Sequence, residues 1–150
     1  MKFRTRNGQV IVPDEFLDSR KVFYDENPEG RPTTSFAIPS GDVLTEIVSR
    51  VVSPPEGFGA IVRATIRAIN STGATNDCFY DVSLDGVIVR AHGFNIATGP
   101  SNAEGSLQAV VRELAQGDRV FTLNAQSSGG LGVIAEMTIE LVRTINLKVN

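Results

Sequence analysis

The amino-acid sequence predicts an all-β fold class, an antiparallel β-sandwich preceded by an extended N-terminal segment. Two observations carry that prediction: stretches in which apolar and polar residues alternate strictly, and turn-forming clusters that separate them. In residues 60–70, Val62, Ala64, Ile66 and Ala68 alternate with Arg63, Thr65 and Arg67. In residues 133–145, Val133, Ala135, Met137, Ile139 and Leu141 alternate with Glu136, Thr138 and Glu140. Phe121, Leu123 and Ala125 repeat the pattern against Val120, Thr122 and Asn124. Successive side chains of a strand point to opposite faces, so each segment has one dry and one wet side. Such strands belong to antiparallel sandwiches rather than to parallel sheets covered on both faces.

The turns fall where a sandwich needs them: Pro39-Ser40-Gly41-Asp42, Pro54-Pro55-Glu56-Gly57, Asn70-Ser71-Thr72-Gly73, Ala115-Gln116-Gly117-Asp118 and Ser127-Ser128-Gly129-Gly130. Asp85-Gly86, set between Val82-Ser83-Leu84 and Val87-Ile88-Val89, is a two-residue hairpin signal, because both residues tolerate positive φ. Leu44, Ile47, Val48 and Val51 also fit a helical spacing, but their β-branched content and the flanking Ser-Gly and Pro-Pro pairs favour a strand. Residues 103–114 pose the same choice, and the alternation of Leu107, Ala109 and Val111 with Gln108 and Arg112 again favours strand.

At 150 residues the chain suits one folded unit, read as residues 33–150. Residues 1–32 are richer in Arg, Asp, Glu, Asn, Gly and Pro, with apolar islands at Val10-Ile11-Val12 and Lys21-Val22-Phe23-Tyr24. They read either as an arm that orders against a neighbour or as an edge strand with its loop. Apolar runs such as Val87 to Val89 are far too short for a bilayer, so no membrane partner is expected. No apolar run follows the basic Lys2, Arg4 and Arg6, so they read as a solvated tail and not as a secretory signal. With a net charge of -3 and scattered cations, the chain offers no stripe for nucleic acid.

Catalytic and metal chemistry find little to work with. Cys78 is the only cysteine, which excludes an internal disulfide, and its apolar setting suggests a small buried hydrophobe. His92 is the only histidine and precedes Gly93 in a predicted loop. Asp77, Asp81 and Asp85 recur on one strand face beside Phe79 and Ser83. They lack the Asp-x-Asp-x-Asp-Gly spacing of a calcium loop and read as a solvated face, as do Glu136 and Glu140. Gly129-Gly130-Leu131-Gly132 is followed by no helix pattern and so is a turn rather than a phosphate cradle. Ser127 and Ser128 have no histidine in an identifiable arrangement. No catalytic residue, cofactor or metal is therefore expected.

What remains suits contact with other proteins. Val110 and Val120 fall on outward faces, and Val10, Val12 and Phe23 lie in the apolar islands of the N-terminal segment. Phe58 and Phe94 sit in predicted loops at the sandwich ends, where each either meets a partner or plugs the core.

The run Leu107-Gln108-Ala109-Val110-Val111-Arg112-Glu113-Leu114, the tight turn Ala115-Gln116-Gly117-Asp118-Arg119-Val120, the loop Ser127-Ser128-Gly129-Gly130 and the long strand after it resemble a recurring pattern. It is that of trimeric jelly-roll domains related to C1q and tumour necrosis factor, including phage and virus structural proteins. Residues 61–86 look like the phage-type members, and the resemblance covers roughly residues 33–146. The chain departs from animal C1q proteins in its 7% aromatic content, its lack of Trp and its lack of a collagen-like stalk. The resemblance implies a jelly-roll β-sandwich, a homotrimer, and a non-enzymatic virion structural protein made in the host cytoplasm. Within that class it implies a capsid decoration or cement protein, with the major capsid protein or another virion protein as partner. A receptor- or glycan-binding head domain of a tail fibre or spike is the alternative. Two Tyr with no Trp weigh against sugar stacking.

Overall fold

Eight strands are laid down one after another with short turns between them, following the alternation of the sequence: β3 (Phe36–Ser40), β4 (Thr45–Val52), β5 (Phe58–Asn70), β6 (Asn76–Leu84), β7 (Val87–Ile96), β8 (Ser101–Val111), β9 (Arg119–Gln126) and β10 (Gly129–Arg143). Two further short strands, β1 (Phe3–Arg4) and β2 (Val10–Ile11), form a separate antiparallel ladder. The computed structural model describes residues 3–4 and 10–11, by backbone alone, and residues 36–144. Val12 and Phe23 lie outside the described residues, as does the side chain of Val10.

The strands form two four-stranded antiparallel sheets, ordered β3-β10-β5-β8 and β4-β9-β6-β7. Strand β3 pairs with β10, β4 with β9, β5 with β8 and β6 with β7, so the chain is one long hairpin rolled upon itself. This is the jelly-roll β-sandwich. The tip of the hairpin is Asp85-Gly86, with φ of 49° and 84°. Both central residues are left-handed, as the tight turn between two right-twisted strands requires.

The core lies between the sheets. From β5 come Val62, Ala64, Ile66 and Ala68, and from β10 Val133, Ala135, Met137 and Ile139. Facing them are the larger Tyr80 and Phe121 with Val82 and Leu123. Small alanines on one sheet and larger rings on the other fill the space between the layers, and burying a side chain such as Ile66 contributes roughly 1.5–3 kcal/mol. Strand β4 carries a bulge between Glu46 and Val48, which turns both Ile47 and Val48 inward while Val51 faces out. That irregularity is what gave Ile47 and Val48 their helix-like spacing.

The structure corrects three expectations. His92 is in strand β7 rather than a loop, and β7 runs on through Phe94 to Ile96. The loop expected to hold Phe94 shrinks to residues 97–100, because Gly93 and Gly105 serve close packing rather than turning. The Gly-rich run beginning at Gly129 is the start of β10, with only Gly130 left-handed at φ 81°.

Candidate functional site

The two outward faces of the sandwich differ in chemistry. On the β3-β10-β5-β8 sheet, Arg63 meets Glu140 at 3.1 Å and Arg67 meets Glu104 at 4.0 Å. The exposed Arg67–Glu104 pair contributes little stability, whereas the Glu140 carboxylate that meets Arg63 is largely shielded from water. Val110 is 45% exposed on this face, across from Ile61. The outward positions of the β4-β9-β6-β7 sheet hold no lysine or arginine. Val51 stands opposite half-buried Val120, and Ile88 and Phe79 are also exposed. At the centre of this face Asn124 donates to Asp81 at 3.0 Å and to Ser83 Oγ at 3.3 Å, and all three residues are buried. The expected solvated row of aspartates is therefore broken up. Asp81 is buried and hydrogen-bonded, and Asp85 belongs to the hairpin turn.

Phe79 is placed by the residue across from it. Its register partner is Gly93, where a methyl group would lie 2.4 Å from the Phe79 ring. The ring therefore lies over the glycine backbone, half exposed, beside a depression of about 410 Å³ that Ile88, His92 and Gln126 help to line.

The predicted contact residues do not converge. Val110 and Val120 lie on opposite faces of the sandwich. Phe58 is 3% exposed and closes one end of the core, where Leu114 N–H donates to its carbonyl, so its side chain is not open to a partner. Phe94 is half-buried, packed edge-on against Tyr80 and held close to the backbone of Gly105. An aromatic ring at the end of a strand gains more from the core than from water, which is why both rings turn inward. Phe79 and Ile88 were missed at the sequence level. The signal was available for Phe79, which falls out of phase with buried Cys78, Tyr80 and Val82.

A second groove, of about 510 Å³, runs along the flank where edge strands β7 and β8 meet. Arg63 and Thr65 of β5, Arg90 and His92 of β7, and Ser106 and Gln108 of β8 line it. No carboxylate is among its lining residues, although Glu140 holds one side of Arg63. The imidazole of His92 stands edge-on to Tyr80 with ring centres 5.8 Å apart.

At the end of the sandwich opposite the Asp85-Gly86 tip, buried amides bind the loops. Asn70 Nδ2 donates to the carbonyls of Ala74 and Ala97, and its Oδ1 accepts from the backbone and hydroxyl of Thr72. Asn76 Oδ1 accepts from Ser127 Oγ and Gly129 N–H, while its Nδ2 donates to the Gly130 carbonyl. These groups are satisfied and do structural work. Cys78 is buried, and burial, helped by nearby Asp77, pushes its thiol up to about 12, which makes it a poor nucleophile. Among the described residues, no group of three or more His, Cys, Asp or Glu side chains is placed to hold a metal ion.

No family model matches the chain, and no curated protein does. Solved structures do. A chain in the structure of infectious bursal disease virus, Gx strain, superposes with a TM-score of 0.56 at 12% identity over 84% of this chain. This chain spans 33% of that one, so the likeness is to part of a longer protein and concerns the fold. The carbohydrate-binding module CBM36, in complex with calcium and xylotriose, aligns at 18% identity over 83% of this chain and 95% of its own. Its TM-score of 0.39 is too low to bear on the fold.

Proposed function

We propose that this chain is a non-enzymatic virion structural protein, a capsid decoration or cement protein that oligomerises and binds the particle surface. The supporting observation is that this jelly-roll sandwich superposes, over 84% of its length, on part of a chain in a virus structure. The kinship to C1q and tumour-necrosis-factor-like domains, and with it a homotrimer, belongs to this proposal. So does location in the virion after synthesis in the host cytoplasm. The outward β4-β9-β6-β7 face, with Val51, Val120, Phe79 and Ile88 and no cation, suits burial against a second copy or the major capsid protein. Val110 on the other face, and Val10, Val12 and Phe23 in the N-terminal segment, are proposed as further contacts. Several modest contacts on one oligomer would multiply through avidity. Multi-angle light scattering should find an oligomer, and particles lacking the protein should take it up in a saturable way. A stable monomer that leaves such particles bare would refute the proposal.

A second reading, a receptor- or glycan-binding head domain, is favoured by the polar groove between β7 and β8. Adsorption of the protein to host cells in the absence of particles separates this reading from a purely structural role.

A further inference from the structure

We infer that the flank groove between β7 and β8 is a binding site for an acidic sugar, a pyranose bearing a carboxylate or sulfate. The inference rests on the glycan-recognition reading and gives it a site and a ligand class. Recognition of such a group needs cationic donors for the anion and neutral hydrogen-bonding groups for the ring hydroxyls. The groove supplies both. Arg90 is exposed on β7 and enters no ion pair or side-chain hydrogen bond among the described residues, so its guanidinium has all its donors available. Arg63, carried by β5, also lines the groove. Its bond to Glu140 uses one nitrogen, Nη1, and a guanidinium has five N–H donors in all. Gln108 is the register partner of Arg63, and Ser106 that of Thr65, so an amide and two hydroxyls line the groove beside the cation. Leu107 and Val110 add apolar surface for the C–H side of a sugar ring.

The walls are preorganised. Arg63, Thr65, Ser106 and Gln108 come from the paired strands β5 and β8, and Arg90 and His92 from β7, which is paired along its length with β6. His92 is braced by the ring of Tyr80, which is buried. Rigid strands spare the site the cost of ordering its backbone on binding, while the unpartnered Arg90 side chain is ordered only when the anion arrives.

The test is titration of the full chain with a sulfated heparin-type oligosaccharide, with sialyllactose, with neutral lactose and with a poly-glutamate peptide, read by calorimetry. The sulfated or sialylated sugar should bind, and Arg90→Gln should weaken that binding about tenfold or more, the loss expected for a charge-assisted hydrogen bond. Arg63→Gln should do likewise. Arg67→Gln removes a cation from the same sheet face but outside the groove, and should leave binding within about twofold. Whichever acidic sugar binds identifies the anion. Equal loss in R67Q and R90Q, or equal binding of poly-glutamate, would overturn the site in favour of unspecific charge attraction. Binding of neutral lactose untouched by R90Q would sink the site while leaving glycan recognition standing. Binding of no sugar at all would sink both. Circular dichroism of each variant confirms that the fold is retained.

Discussion

The guanidinium of Arg119 donates to the Asp85 carboxylate at 2.8 Å and so ties the tip of the rolled hairpin to the loop before β9. The same arginine reaches the carbonyls of Ala115 and Gln116. Asp85 in turn accepts from the Val120 N–H at 2.9 Å, and its own N–H donates to the Val120 carbonyl. One turn residue thus fixes two loops at one end of the sandwich.

Chiefly the Val120 N–H, and then Arg119, hold the Asp85 carboxyl below its usual value. A lowered folded pKa means stability that is present above the unfolded value and lost as pH falls through the folded one. Asp85→Asn keeps the acceptor and the tolerance of positive φ but removes the charge. It should lower the melting temperature at neutral pH by about 1–3 °C, since a part-exposed pair contributes under roughly 1 kcal/mol. The gap from wild type should close in acid, and a gap that widens there would contradict the assignment.

The hydroxyl of Tyr80 is buried and has no hydrogen-bond partner among the described residues, and burial, with a contribution from Cys78, pushes it up to about 12. An unsatisfied buried donor costs about 1–3 kcal/mol. Tyr80→Phe should therefore unfold at equal or higher denaturant than wild type. A methyl at Gly105 would lie 2.7 Å from the same hydroxyl and 2.8 Å from the Phe94 ring, so Gly105→Ala should cost about 1–3 kcal/mol. Combining the two changes should recover part of that loss, because removing the hydroxyl makes room.

Asn76→Ala removes an acceptor shared by Ser127, Gly129 and Asp77 and a donor to Gly130. The buried partners left behind set the cost at about 2–4 kcal/mol by guanidinium unfolding. Amide exchange should rise first at residues 127–130. A loss below about 0.5 kcal/mol would show that water replaces the amide without penalty.

Cys78 should resist alkylation. Its thiol is fully buried and its pKa of about 12 leaves almost no thiolate at pH 8. Native protein treated with iodoacetamide should keep its mass, and addition of denaturant should give complete modification. Rapid labelling of the native state would mean that β6 opens locally.

Much of the fold was legible in the sequence, for reasons that individual strands show. Through residues 60–70 of β5 and 130–141 of β10 a period of two runs unbroken, so inward and outward residues could be assigned in advance. The Asp85-Gly86 pair announced the hairpin tip because few dipeptides accept two left-handed residues. Strand β4 was harder, since a bulge puts Ile47 and Val48 on the same side. Strand β7 was misjudged near His92 because Gly93 looks like a turn residue, whereas it is the floor beneath Phe79. The candidate contacts fared less evenly. Val110 and Val120 do face outward, but Phe58 is in the core, and nothing local distinguishes an aromatic plug from an aromatic contact.

By itself the sequence determined the inward and outward sides of strands such as β5 and β10, the hairpin tip at Asp85-Gly86, and that chemistry has one histidine and one cysteine to draw on. Only the tertiary structure decided how the faces differ and what meets at the flank. Arg63 and Arg90 are 27 positions apart and share a groove because rolling the hairpin sets the edges of two sheets side by side. Alternation is a local property of a strand, set by the backbone. Juxtaposition across sheets depends on how the strands pair and pack, which no single stretch of sequence encodes.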